Sequence, residues 1–297
     1  MLLRKLLAIS FALLCGVPAA QSAPFDLPAL NSPPSSEHHA GKIVWADLVT
    51  PSLPAATNFY GGLFGWTFQT IRAGETDYAV VLNHGQPIGG IVGKPLPSAD
   101  KRQSAWLTFI AVADVDAAKR VALAHKAKVL ADTANYARRG RQAVLADPEG
   151  AAFAILASSS GDPPDYLATP GEWIWSSLHA KDAGSEAAFY QEVFGYDVYD
   201  ATGEDGTEHV ILSSDDYARA SANAFPADGH RHAHWLNFVR VDDAGAAVAK
   251  ALTLGGKVLV EPHPDRHGGM VAVIADPAGA PFGVMEWTDS DTKAEPK

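Results

Sequence analysis

Slid along itself by 130 residues, the first half of this 297-residue chain lands on the second. The stretch "GKIVWADL…NFYGGLFGW" (41–66) meets "GEWIWSSL…AFYQEVFGY" (171–196). At an offset of 129, "KVLADTANYARRGRQAVLADPEGAAFAIL" meets "KVLVEPHPDRHGGMVAVIADPAGAPFGVM", and this match runs without a gap from Trp106 to Leu156. A repeat of this kind commits the chain to two copies of one folding unit. They are placed at 41–158 and 171–288, joined by a linker at 159–170. Each copy repeats a smaller plan twice: a short apolar strand, a capping residue, a short helix and a run of strands. Ser52, Asp114, Asp182 and Asp243 are the expected helix caps. Each half is therefore a pair of βαβββ modules, and the class is α+β with helices on one side of a sheet.

The first residues, "MLLRKLLAISFALLCGVPAAQSAP", place Arg4 and Lys5 before an apolar run and then small residues, the pattern of a secretory signal peptide over 1–23. Localisation is accordingly expected to be periplasmic or secreted. The sole cysteine, Cys15, lies inside this leader. A lipoprotein anchored through Cys15 is disfavoured by Leu14, which stands where a small residue is usual. Thiolate chemistry and cysteine–zinc sites fall away with the leader. The chain carries 34 acidic against 23 basic residues, a formal −11, and losing Arg4 and Lys5 takes this to −13. That balance gives no footing for nucleic acid, or for an anionic membrane once the leader is cleaved. The Pro/Ser-rich stretch 24–40 reads as a disordered linker and 289–297 as a polar tail.

Four related tetrapeptides open the modules: Trp45-Ala46-Asp47-Leu48, Trp106-Leu107-Thr108-Phe109, Trp175-Ser176-Ser177-Leu178 and Trp235-Leu236-Asn237-Phe238. Side chains alternate along a strand, so Trp45 and Asp47 share one face while Val44, Ala46 and Leu48 share the other. The helix should cover the wholly apolar face. The pairs Trp45 with Asp47, Trp106 with Thr108, Trp175 with Ser177 and His179, and Trp235 with Asn237 are then expected to look into a concave cup.

The chain resembles the vicinal oxygen chelate superfamily of glyoxalase, bleomycin-resistance and extradiol-dioxygenase proteins. The resemblance rests on "FYGGLFGW" and "FYQEVFGY", on "VADVDAAKRVALA" and "VDDAGAAVAKALTLGGKVL", and on "ADPEGAAFAIL" and "ADPAGAPFGVM", in order and in duplicate. It implies two tandem glyoxalase-like domains, each a U-shaped sheet around a cup where catalytic members hold a divalent metal. By the same resemblance, the strand positions of the metal ligands fall on Trp45, Trp175, Trp106 and Trp235. The last-strand glutamate position falls on Ala154 and Gly283, with Glu286 three residues beyond. An indole N–H only donates and cannot ligate a cation. No cofactor is therefore expected at the family positions.

Two readings of the tryptophans stand side by side. They line ligand pockets, with Asp47, Thr108, Ser177 and Asn237 giving direction, or they plug the space as packed core. His230, His232 and His234 offer an alternate-residue metal site, against the reading of a solvated loop; alternation beside Trp235 turns His234 away from the cup. His263 and His267 are expected in a strand-connecting loop. His179, beside Ser177, is a candidate general base, against an ordinary strand-end histidine. The function read from these residues is capture of a small, partly apolar or aromatic molecule by an exported protein. The rival is a lyase, isomerase or oxygenase with a divalent metal near His179 and the histidine run. A third reading is a protein whose cups are filled. A homodimer is possible, and the tandem itself can imitate one.

Overall fold

A computed structural model describes residues 26–287, apart from 74–75, 95–103, 204–205, 207, 226–231 and 266–267. The signal peptide with Cys15, the tail, His230 and His267 lie outside the described residues. The first domain runs β1 (Ile43–Thr50), α1 (Leu53–Phe64), β2 (Thr67–Ala73), β3 (Thr76–Asn83), β4 (Gln86–Gly93), β5 (Ala105–Ala111), α2 (Val115–Ala124), β6 (Lys128–Tyr136), β7 (Gly140–Ala146) and β8 (Ala152–Ser158). The second repeats it as β9 (Trp173–Ala180), α3 (Ala183–Phe194), β10 (Asp197–Asp200), β11 (His209–Ser214), β12 (Tyr217–Ala224), β13 (His234–Arg240), α4 (Ala244–Thr253), β14 (Lys257–Pro264), β15 (Met270–Ala275) and β16 (Pro281–Met285). Each domain is one eight-stranded mixed sheet, in the orders β2-β3-β4-β1-β5-β8-β7-β6 and β10-β11-β12-β9-β13-β16-β15-β14. The two modules of a domain meet at the antiparallel pair of their leading strands, β1 with β5 and β9 with β13. Among the described residues, no helix is long and apolar enough to cross a membrane.

Local chemistry explains the helix ends. Ser52, Asp114, Asp182 and Asp243 all cap as expected, their side chains accepting from backbone N–H groups of the first turn. The first helix of each domain stops at a glycine, Gly65 or Gly195, whose φ of 76° or 73° a side chain would resist.

The helical faces of the two sheets turn toward each other and share their cores. One cluster joins Val115, Ala118 and Ala122 of α2 to Phe189, Tyr190 and Phe194 of α3. The other joins Phe59, Tyr60 and Leu63 of α1 to Val248 and Ala251 of α4 and to Phe282. Each module thus buries its helix against the non-equivalent module of the other domain. At the middle of this seam Thr108 Oγ1 donates to Asn237 Oδ1 at 3.0 Å, and Ser176 Oγ donates to the same atom at 2.7 Å.

This arrangement corrects the expected facing of two tetrapeptides. In the β1–β5 ladder Asp47 stands opposite Leu107, and Leu48 opposite Trp106. Opposite residues share a face, so Leu107 and Phe109 enter the first cup while Trp106 and Thr108 join the helical side. The β9–β13 ladder does the same: Leu236 and Phe238 oppose Ser177 and Trp175, leaving Trp235 and Asn237 on the helical side. A phase difference of one residue exchanges every side chain between faces. His234 opposes His179; it therefore shares the cup face, contrary to the alternation argument.

The stretch before β1 is not a loose linker from residue 26 onward. Leu27 and Leu30 are buried in the first cup. Leu30 N donates to Ser160 Oγ at 3.0 Å, Asn31 Nδ2 to the Asp162 carbonyl at 2.8 Å, and His39 N to Asp162 Oδ2 at 2.8 Å. Two leucines three apart in a Pro/Ser-rich segment are enough to anchor a strap when a concave apolar sheet lies beneath them.

Candidate functional site

The first cup is filled by its own chain. Trp45 Nε1 and Tyr78 Oη both donate to Asp47 Oδ1, at 2.7 and 2.8 Å. The wholly buried Arg139 lays its guanidinium carbon 3.9 Å from the Trp45 ring centre and donates from Nε to the strap carbonyl of Pro28 at 2.7 Å. Burial pushes the Asp47 carboxyl up from its ordinary range, and the Arg139 charge and the two hydrogen bonds oppose this. Gly90 on β4 makes the arrangement possible, because a Cβ there would collide with Tyr78 Oη and Asp47 Oδ1. Gly90→Ala is accordingly expected to lower unfolding stability by about 2 kcal/mol, seen as a lower urea midpoint. An unchanged midpoint would mean that Tyr78 can swing clear.

The second cup is built differently. Trp175, Ser177 and His179 line β9 as expected. Trp175 Nε1 donates to Ser221 Oγ at 3.2 Å, Ser177 Oγ bonds the same hydroxyl at 2.9 Å, and Asn223 Nδ2 donates to it at 3.1 Å. Asn223 Oδ1 in turn pairs with His209 Nδ1. The His179 ring stacks on His234, with centroids 5.4 Å apart, and on Phe225 at 6.3 Å. Across the cup, Leu236, Phe238, Val271 and Met285 form an apolar wall. The Phe238 ring lies over Gly283, where any Cβ would strike it. The outer strands keep apolar side chains in solvent, Tyr199 at 56% and Leu259 at 54% exposure.

Among the described residues, the centre of each cup presents few groups able to ligate a divalent ion. The floors there present Trp45, Leu107, Phe109 and Ala154, or Trp175, Leu236, Phe238 and Gly283, and Asp47 is already engaged. The His179 and His234 rings stack 18° from parallel. His232 is exposed, offering its carbonyl to His234 Nδ1 at 2.9 Å, and His263 is exposed on β14 rather than in a loop. Among the described residues, no three His, Cys, Asp or Glu side chains are grouped to hold a metal ion.

Trp106 and Trp235, removed from the cups, serve the seam. Trp106 Nε1 donates to Tyr60 Oη at 3.0 Å, and Tyr60 donates to Asp276 Oδ2 at 3.3 Å. Trp235 Nε1 donates to Tyr190 Oη at 2.8 Å, and Tyr190 to Asp147 Oδ2 at 3.1 Å. Each relay starts in one domain and ends on the aspartate of the other domain's Asp-Pro turn.

A third space was not anticipated. A cavity of about 250 Å³ lies where the starts of β1 and β9 meet the linker, with Trp45, Tyr166, Trp173, Trp175, Tyr217 and Arg219 among its walls. Trp175 faces both this crevice and the second cup. Asp165 of the linker accepts from Lys42 Nζ at 2.6 Å and from Arg219 Nη1 and Nη2 at 2.6 and 3.1 Å. Burial pushes the Asp165 carboxyl up, but the hydrogen bonds from Arg219 and Lys42 outweigh it and hold the carboxyl below its ordinary range. Nothing in the linker's Pro-rich sequence signals this crevice; the excess of aromatic residues at 166, 173 and 175 is the one visible trace.

Residues 42–155 match the model of the glyoxalase/bleomycin resistance protein/dioxygenase superfamily, and residues 175–285 match that of a glyoxalase-like domain. CFP32 of Mycobacterium tuberculosis (strain CDC 1551 / Oshkosh), provisionally named a glyoxylase, is 30% identical over 256 residues, covering 86% of this chain and 98% of the relative. The anthracycline biosynthesis protein DauV of Streptomyces sp. (strain C5) is 31% identical over 259 residues, covering 83% of this chain and 93% of the relative. In fold, the chain is similar to the Mn(II)-bound glyoxalase from Novosphingobium aromaticivorans, with a TM-score of 0.58 at 15% identity over 84% of this chain and 83% of that one.

Proposed function

The chain belongs to the glyoxalase/bleomycin resistance protein/dioxygenase superfamily, and from that premise we propose that it captures a small, planar, partly aromatic molecule at its second domain, after export and without a metal ion at the centre of either cup. The observation that carries this reading is the crevice of about 250 Å³, walled by tryptophan and tyrosine from the two leading strands and the linker, with Trp175 of the second domain among its walls. Aromatic walls with a few fixed polar groups suit a flat ligand. Ser177, Ser221 and Asn223 supply hydroxyl and amide groups along one side of the cup, and Arg219 supplies a cation over Tyr217 at 5.0 Å. The first cup contributes no comparable room, since Asp47, Arg139, Leu27 and Leu30 fill it.

Titrating the protein with naphthol, a naphthoquinone and an anthracycline, the last because the Streptomyces relatives carry that word in their names, should quench tryptophan fluorescence saturably. Trp175→Ala should weaken binding at least tenfold, about 1.4 kcal/mol. Trp235→Phe, at the seam and outside the crevice walls, should leave affinity within twofold while lowering stability. Equal affinity in wild type and Trp175→Ala sinks the assignment. Stoichiometric iron, zinc or manganese in tag-free protein would instead favour a metal-assisted lyase or oxygenase. Export is checked by finding the shortened mature chain in the periplasmic fraction or the medium.

A further inference from the structure

We propose that the first cup is a latent site for a small carboxylate, anchored by Arg139, and that the start of the strap, residues 26–29, is a displaceable stand-in for that ligand. The proposal is independent of aromatic capture at the second domain.

Arg139 carries the argument. Its guanidinium is wholly buried and lies flat on Trp45. Nε donates to the Pro28 carbonyl, a group that the strap brings in from outside the sheet. Nη1 and Nη2 have no hydrogen-bond partner among the described residues. A guanidinium presents five donors in a planar fork that matches a carboxylate's two oxygens. Leaving part of that fork unused in an apolar interior forfeits hydrogen bonds that water would otherwise supply. The duplication supplies no counterpart, since Arg139 falls opposite Gly268 at the offset of 129. A purely structural arginine would be expected to spend its donors on the protein.

Two further features agree. Gln142 opposes Leu156 on β8 and so shares the cup face, and its buried Oε1 also lacks a partner among the described residues; it can accept from a hydroxyl on the ligand. The strap is held unevenly. Residues 30–39 are tied to Ser160 and Asp162 by hydrogen bonds. The end at 26–29 is held by Leu27, the Pro28 carbonyl and an ion pair between Asp26 and Arg138 at 2.8 Å. That pair is more than half exposed on both sides, so water and salt weaken it. Burial raises the Asp47 carboxyl, against the Arg139 charge and the hydrogen bonds from Trp45 and Tyr78, so an incoming anion would meet a carboxyl that ionises less readily than an exposed one.

The test uses the full chain with benzoate as probe and benzamide as its neutral match. Calorimetry should show Leu27→Ser/Leu30→Ser binding benzoate at least tenfold more tightly than wild type does, with benzamide binding unchanged. Adding Arg139→Gln should remove the gain. In wild type, millimolar benzoate should speed amide exchange at residues 26–31 while slowing it in β1, a readout that does not depend on the double variant folding. Benzoate affinity that ignores both the strap changes and Arg139→Gln overturns the proposal. So does exchange at 26–31 that benzoate leaves unaltered.

Discussion

Expressed alone, residues 41–158 should give aggregated or loosely packed material, whereas the whole chain should unfold in a single cooperative step. The two domains look separable by sequence, but their cores are not. The inner faces of α1 and α2 are completed by α4 and α3 of the other domain. Cutting at the linker would expose two apolar patches, Phe59 with Tyr60 and Ile110 with Val115 and Phe153, of the kind that drives association. It would also strand polar groups that now pair across the seam: Tyr60 with Asp276, Tyr190 with Asp147 and Thr108 with Asn237. Unsatisfied buried polar groups cost about 1–3 kcal/mol each, and the lost apolar burial is larger still. Size-exclusion chromatography and thermal circular dichroism of 41–158, with and without co-expressed 159–297, give the answer. A monomeric 41–158 with a sharp transition close to that of the whole chain would falsify the shared-core account. In this arrangement the tandem chain makes within itself the contact that two single-domain copies would make between them.

What could be read from the residues was whatever local chemistry decides. A capping side chain, an Asp-Pro turn and a glycine at a helix end act within a few residues of themselves. The four caps and both module repeats were therefore legible, and with them the tandem α+β plan. The facing of Trp106 and Trp235 was not, because it depends on how β5 and β13 register against partners sixty residues away. Alternation offers no help there: Trp106, Leu107, Thr108 and Phe109 are all buried, so neither phase exposes a polar side to water. For β1 and β9 the same reasoning placed Trp45, Asp47, Trp175, Ser177 and His179 on the cup face, where they lie. Arg139 was passed over for a sound reason, since arginine is seldom wholly buried, and its role arises only once the strap folds over it. The crevice likewise exists only where linker and both leading strands meet.

Raising the pH from 5 to 9 should destabilise the wild-type protein by on the order of 2–3 kcal/mol relative to Glu186→Gln. Glu186 is buried in the first turn of α3. Burial, and then the facing charge of Asp147 from the other domain, push its carboxyl up to about 9, with Glu149 adding a smaller push. Asp147 is itself raised to about 6 by burial, against hydrogen bonds from the Ala151 and Gly150 N–H groups and from the side chains of Glu186 and Tyr190. The sign follows from proton counting. Above the ordinary glutamate value near 4.5, the unfolded chain releases the Glu186 proton while the folded chain keeps it. Stability from this site is therefore full below that value, declines through the interval, and has stopped declining once the pH passes about 9. One pKa unit corresponds to about 1.4 kcal/mol, but the expected total is kept lower because the two carboxyls share the proton. Glutamine keeps the volume and cannot titrate, so its stability curve should be flatter over the same range. The opposite seam provides an internal contrast: Asp276 is retained, but Ala56 and Ala278 stand at the positions of Glu186 and Glu149. Chemical unfolding at half-unit steps of pH measures the difference, and parallel curves for the two proteins would show that Glu186 reaches solvent and holds no proton at neutral pH.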